Sequence, residues 1–137
     1  SLCDWSSDVC SSDLDLTCYP FRSFRVQIDG NELEASGLVV TKGRYYAGRF
    51  QIAPQADPRD SYFHVVSLQQ NHFMDALKHA AALGLGRLPY LSSISLQRGH
   101  DIQVFGADLP VQADGDDAGC LPIHIVPFTQ PLRVVVP

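Results

Sequence analysis

From Phe24 onward the chain breaks into short apolar runs separated by turn residues. Phe24–Ile28 alternates apolar with polar and stops at Asp29-Gly30-Asn31, a hairpin signal, with Leu33–Val40, extending to Thr41, as partner strand. Arg49–Ala53 and Tyr62–Leu68 read as the next strands, and Pro54 and Pro58 keep the segment between them out of any ladder. A helix is expected from Asn71 to Leu85. Asn71 can cap it, Phe73, Leu77, Ala80 and Ala81 form an apolar stripe, and Gly84 and Gly86 stop it. Strands resume at Ser93–Gln97, Ile102–Phe105, Leu109–Ala113, Pro122–Val126 and Leu132–Val136. Short strands with turns about every eight to twelve residues predict a mainly β fold, an antiparallel sandwich or barrel-like domain with one α-helix.

Residues 1–14, SLCDWSSDVCSSDL, follow neither periodicity. A segment so rich in Ser and Asp has little to bury and is expected to be a disordered leader. It also looks like translated adaptor sequence, which places the folded domain at 15–137 and implies that native sequence is cut off upstream.

The 137 residues suffice for one domain with a real core. The formal charge of −5, with no basic run, argues against nucleic-acid binding. Nothing approaches the roughly 18 consecutive apolar residues of a transmembrane segment, and no secretory signal is visible. Cys3, Cys10, Cys18 and Cys120 have no metal-knuckle spacing, so unpaired thiols are expected.

Two acidic corners carry the candidate chemistry. Ala56-Asp57-Pro58-Arg59-Asp60 lies between apolar strands, where carboxylate and carbonyl oxygens can converge on a hard cation. The same residue types also write ordinary surface turns. Val111-Gln112-Ala113-Asp114-Gly115-Asp116-Asp117 ends a strand in an Asp-Gly turn, by its chemistry alone a hairpin corner. His72 and His79 lie seven apart on the expected helix, too far for a ligand pair, and fit solvated or packing roles. Arg44 and Arg49 read as exposed strand residues, although both could face a phosphate.

The stretch Thr41 to Val66, TKGRYYAGRFQIAPQADPRDSYFHVV, resembles the second domain of the diacylglycerol kinase-like lipid kinases, the bacterial family that also includes sphingosine kinase relatives. There the pattern is roughly N-G-x-x-Y-G-G-G-F-x-I-A-P-x-A-x-x-x-D-G-x-L-D-V. This chain keeps Gly43, Tyr46, Gly48, Phe50, Ala53, Pro54, Ala56, Asp60 and Val65, and departs at Ala47, Arg49, Ser61 and His64. The resemblance covers about Phe24 to Pro137. It implies a β-sandwich-like carboxyl-terminal domain following an α/β nucleotide-binding domain whose Gly-Gly-Asp-Gly-Thr signature is absent here.

The resemblance further implies an ATP-dependent lipid kinase that moves the γ-phosphate of ATP to the hydroxyl of diacylglycerol or a related lipid. This fragment would be inactive alone, with ATP bound mainly by the missing N-terminal nucleotide-binding domain. Asp60 matches a metal ligand, joined by the backbone carbonyls of Asp57 and Tyr62, and the expected ion is Mg²⁺. Asp116 stands where the family carries a glutamate that resembles a general base, and Asp114 shapes the turn. Serine at 61 replaces a glycine, which at positive φ would cost about 1 kcal/mol. His64 sits where relatives often have aspartate. Tyr45, Tyr46 and Phe50 match core and cleft-edge aromatics, and a core role is expected for them. The expected setting is cytoplasmic, peripheral at the inner membrane face, with a lipid substrate. The alternative is a non-catalytic β-sandwich module that binds a lipid or a protein. The kinase expectation requires that Asp60 and Asp116 face a common cleft.

Overall fold

The computed structural model describes residues 22–46, 48–69, 73–130, 132, 133 and 135. Residues 1–14, and the expected cap Asn71 with His72, lie outside them. Eleven strands and one α-helix follow in order: β1 Phe24–Ile28, β2 Asn31–Ala35, β3 Gly37–Thr41, β4 Tyr45–Tyr46, β5 Phe50–Gln51, β6 Phe63–Leu68, α1 Phe73–Gly84, β7 Ile94–Gly99, β8 Ile102–Phe105, β9 Pro110–Ala113, β10 Asp116–Cys120 and β11 Ile123–Ile125. A 3-10 turn, Leu88–Tyr90, precedes β7. The architecture is mainly antiparallel β with a single helix, a β-sandwich-like domain.

A four-stranded sheet runs β11-β8-β1-β2 and a three-stranded sheet runs β3-β6-β7. The β1–β2 hairpin closes at Asp29 and Gly30, with φ of 49° and 88°. Two consecutive left-handed residues define a type I′ turn, which is what an Asp-Gly pair supplies at low cost.

The expected single strand Leu33–Val40 is in fact two strands in different sheets. Ser36 is the corner: its backbone N–H and its Oγ both donate to the carbonyl of Leu68, at 2.9 and 3.1 Å. After this bend β3 pairs with β6 instead of β1. One chain thus joins the two sheets, and the hydrophobic alternation alone does not reveal the change of partner.

β6 is buried on both faces, hence its apolar run FHVVSL. Val65 joins the inter-sheet core of Val26, Ile28, Ala35, Ile102, Val104 and Leu121. Val66 points the other way, into a second core of Ile52, Ala53, Ala56, Ala82 and Leu88. Side chains alternate along a strand, so His64 shares the face of Val66. That face carries the acidic loop.

The helix ends as expected, with Gly86 N–H on Leu83 O at 3.1 Å and Arg87 N–H on Ala82 O at 2.7 Å. These paired bonds are a Schellman stop. The expected apolar stripe is corrected: Leu77, Ala80 and Ala81 are exposed, and His79 and Ala82 are buried. The partner of the helix is the small second core beside β7, where His79 Nε2 meets Ser93 Oγ at 2.7 Å. Packing chose the face, overriding the stripe of largest hydrophobicity.

Other boundaries also shift. Arg49–Ala53 contracts to the two residues of β5, paired with β4. β10 was not expected, and Leu132, Arg133 and Val135 lie outside any strand. Cys120 is disulfide-bonded, so the expectation of unpaired thiols fails there; its partner lies outside the described residues. A bridge between distant positions leaves no local spacing signature, which is why the sequence did not show it. Among the described residues, no helix is long and apolar enough to cross a membrane.

Candidate functional site

The acidic loop is built by its own backbone. Pro54 and Pro58 withhold ladder donors, and the chain turns on itself through Ala56 N–H to Ala53 O and Asp60 N–H to Asp57 O, both 3.0 Å. Asp57 Oδ1 accepts from Arg59 N–H at 2.9 Å, a side-chain turn of the Asx kind. The Asp60 carboxylate accepts from Asp57 N–H at 3.3 Å and lies 3.3 Å from His64 Nε2. The His64 hydrogen bond, with the backbone N–H of Asp57 and the Tyr62 hydroxyl, holds the Asp60 carboxyl below the usual carboxylate value, against a smaller opposing effect of desolvation.

Around the loop stand four aromatic rings and several cations. Tyr62 lies 5.4 Å from the His64 ring and 6.0 Å from the His100 ring. Arg98 sits 5.2 Å over Tyr62, and Lys42 sits 5.0 Å over Phe63. Lys42 Nζ donates to Asp60 O at 2.5 Å, and Arg44 Nε donates to Ala56 O at 2.9 Å. Ser61 is not among the positive-φ residues, so the expected strain at that position does not arise. Its Oγ lies 3.5 Å from His100 Nε2.

The donor chemistry of this loop suits a hard cation. Asp60 offers a carboxylate, and Asp57 and Tyr62 offer carbonyl oxygens, the ligand type that Mg²⁺ takes while keeping several waters. Among the described residues no group of three or more His, Cys, Asp or Glu forms a metal cluster. Any ion here would therefore rest on one carboxylate with carbonyls, not on a carboxylate cage.

The second corner is the β9–β10 hairpin. Asp114 and Gly115 take φ of 53° and 94°, another type I′ turn, and Asp114 shapes it as expected. Asp116 pairs with Ala113 across the hairpin and is exposed. Asp117 Oδ1 accepts from Gly119 N–H at 2.8 Å, next to a bulge, which occupies it locally. Asp116 and its cross-strand partner Ala113 lie on one face of the hairpin, and Asp117 with Gln112 on the other.

The two corners border two clefts instead of one. Asp57 and Asp60 line an open cleft of about 1320 Å³ together with Lys42, Arg44, Arg59 and His100. Asp114, Gly115 and Ala118 line a neighbouring groove of about 1230 Å³, whose walls include Leu38, Val40, Phe63, Leu109 and Val111. Tyr45 lines both. Asp116 itself is not among the lining residues. Tyr45 and Tyr46, expected in the core, are 57% and 50% exposed and form a cleft edge. Arg49 stacks on Phe50 outside both clefts; it is exposed as expected, but it lies in the turn before β5 and not in a strand.

Sequence reasoning missed Lys42 and Arg59 as cleft cations and the closure of Asp60 by His64. A departure from the family pattern at His64 was the only available signal, and it carried no partner information.

Comparison with known proteins agrees with this architecture. Residues 11–136 match the family described as the YegS C-terminal NAD kinase beta sandwich-like domain. The Bacillus subtilis (strain 168) protein named "Putative lipid kinase YtlR" is 26% identical over 97 residues, covering 70% of this chain and 31% of that protein. The structure of a diacylglycerol kinase from Bacillus anthracis str. Sterne superimposes with a TM-score of 0.59 at 19% identity, covering 76% of this chain and 37% of that one. A second structure from the same strain, described as a putative diacylglycerol kinase, gives 0.53 at 18% identity, over 82% and 37%. At such identities the structures show the fold alone. The chain spans about a third of the length of the curated relative it matches.

Proposed function

The chain belongs to the YegS C-terminal domain family, and from that membership we propose that it is the lipid-facing domain of an ATP-dependent lipid kinase. In this reading the complete protein transfers the γ-phosphate of ATP to the hydroxyl of diacylglycerol or a related lipid. A preceding domain supplies the nucleotide site, and this chain alone is inactive. The observation that carries the reading is the apolar groove between the sheets, whose lining includes the Asp114–Gly115 turn. Leu38, Val40, Phe63, Leu109 and Val111 offer acyl chains an apolar wall, and the hydroxyl end of the lipid would lie at the turn.

Asp116 is the proposed general base. It lies directly across the hairpin from the groove-lining Ala113, which supports an approach to a lipid hydroxyl at the groove mouth. It takes the hydroxyl proton as the oxygen forms its bond to the γ-phosphorus; the bond to the β–γ bridging oxygen breaks, and ADP leaves. Positioning and charge stabilisation supply most of the remaining rate in such transfers. The proposed ion is Mg²⁺, which Asp60 would hold with the carbonyls of Asp57 and Tyr62; when bound it would organise the acidic loop in the cleft that adjoins this groove at Tyr45. The proposed setting is the surface of the membrane that holds the lipid.

The test is a lipid phosphorylation assay on the full-length two-domain protein with Asp116→Ala and Asp116→Glu. Alanine is expected to lower the rate by about 10²–10⁴-fold. Glutamate, with ~1.5 Å more reach, is expected to retain or raise it. Unchanged activity in the alanine variant removes Asp116 from the mechanism. The exposure of Asp116 outside the groove lining favours a second reading, a non-catalytic lipid- or protein-binding module. Inactivity of all three proteins with every lipid tried would favour this reading or a degraded kinase.

A further inference from the structure

We propose that the cleft beside the acidic loop is a phosphate-binding site in which Lys42, Arg44 and Arg59 receive a phosphate monoester dianion. Acidic residues outnumber basic ones by 15 to 10 in this chain, so a cation has carboxylates to choose from. The ion pairs among the described residues are His64–Asp60, Lys78–Asp75 and His124–Asp101. None involves the three cleft cations, which line the same cleft.

Two of them are instead anchored by neutral carbonyls. Lys42 donates to Asp60 O and Arg44 Nε donates to Ala56 O, so the loop fixes both side chains without cancelling their charge. Lys42 keeps two donors, and the Arg44 guanidinium keeps its four terminal N–H donors. Arg59 stands between the two anchor points in sequence. Asp57 and Asp60 line the same cleft, but their carboxylates are engaged within the loop: Asp57 Oδ1 accepts from Arg59 N–H, and Asp60 accepts from Asp57 N–H beside His64. Three cations that form no ion pair among the described residues, in a cleft that two engaged carboxylates share, match a doubly charged oxyanion, which Arg binds through parallel hydrogen bonds and Lys as a point charge.

The rim selects among phosphates. Phe128 and Leu132, 85% and 88% exposed, line the same cleft. Apolar side chains lining the same cleft as the cations fit a phosphate carried on an apolar group, and a free phosphate would use the cations alone. The chain's net negative charge and the confinement of the cations to one cleft disfavour an extended polyanion. This site does not depend on phosphoryl transfer: a chain that binds phosphate here and transfers none retains it.

The test is direct binding to the chain itself. One arm titrates inorganic phosphate at constant ionic strength, followed by calorimetry and amide chemical shifts. The other measures sedimentation with phosphatidylcholine vesicles, alone or containing phosphatidic acid. Saturable binding is expected in at least one arm, with shifts confined to the segments around Lys42–Tyr45 and Ala56–Ser61. Saturation by phosphate without vesicle preference identifies a free phosphate, and preference for phosphatidic acid identifies a lipid headgroup. Arg59→Gln removes an exposed side chain and should weaken binding about tenfold, the scale of a lost charge-assisted hydrogen bond. Lys42→Gln should do the same, and Arg49→Gln, outside the cleft, should change nothing. The proposal is overturned by no saturation in either arm, by unchanged binding in Arg59→Gln and Lys42→Gln, or by an equal loss in Arg49→Gln.

Discussion

Asp29 and Asp101 hold each other's backbone: Asp29 N–H donates to Asp101 O, and Asp101 N–H donates to Asp29 Oδ1, both at 2.8 Å. His100 N–H adds a third bond to the same carboxylate oxygen at 3.0 Å. The β1–β2 turn is thereby tied to the β7–β8 turn, beside His100 and the acidic loop. The sequence marked Asp29 only as a hairpin residue.

This clamp is pH-dependent. The backbone bonds from Asp101 and then His100 hold the Asp29 carboxyl below its ordinary value of 3.8. The unfolded chain then takes up the proton first as pH falls, so the contribution is complete above 3.8 and lost as pH drops through the lower native value. Asp29→Ala should lower the melting temperature by a few degrees at neutral pH, with the gap from wild type closing in acid. A gap that persists unchanged in acid would show that the carboxylate is not its origin.

Gly99 admits no side chain. A Cβ there would lie 2.4 Å from Ile28 Cγ2, and Ile28 is 3% exposed in the inter-sheet core. Gly99→Ala should destabilise by about 1–3 kcal/mol, the scale of overpacking a core. Ile28→Ala removes the obstructing methyl, so the double variant should cost less than the sum of the single ones. Simple additivity in denaturant melts would contradict this contact.

His79 supplies a second pH dependence. Burial pushes its imidazole below the ordinary 6.5, with Asp75 opposing and Lys78 assisting. A depressed histidine is neutral in the native state and charges first in the unfolded one, so stability is present above 6.5 and lost as pH falls below it. Wild type should lose melting temperature between about pH 7.5 and 5, and His79→Gln should flatten that slope. Equal slopes in both proteins would assign the loss to another group.

Mg²⁺ should raise the melting temperature if Asp60 and its neighbouring carbonyls hold it. At about ten times its Kd the ion should add ~1.4 kcal/mol, or roughly 5 °C for a domain of this size. Asp60→Asn should abolish the shift. His64→Asp should enlarge it by exchanging an imidazole for a second carboxylate beside Asp60. An equal Mg²⁺ shift in wild type and Asp60→Asn would exclude Asp60 as a ligand.

Much of the fold was legible where the signal is local. Asp29-Gly30 and Asp114-Gly115 need left-handed backbone that an Asp-Gly pair supplies, and both turns formed. The strand Tyr62–Leu68 was visible as an apolar run. Less of the candidate site was legible. Asp57 and Asp60 do share a loop, but Lys42 and Arg44 reach it from 18 and 12 residues away by bonds to backbone carbonyls. A carbonyl acceptor has no residue identity, so no sequence pattern records such a contact.

What the chain's order of residues determined by itself was a β-rich domain with one helix, its Asp-Gly hairpins and its acidic loop, because these depend on neighbours a few positions apart. The tertiary structure alone decided that Ser36 passes the chain from one sheet to the other and that the helix buries His79 instead of Leu77. It also decided that Asp60 turns to His64. Each of those outcomes depends on which distant surface arrives, and hydrophobic periodicity specifies a face without specifying its partner.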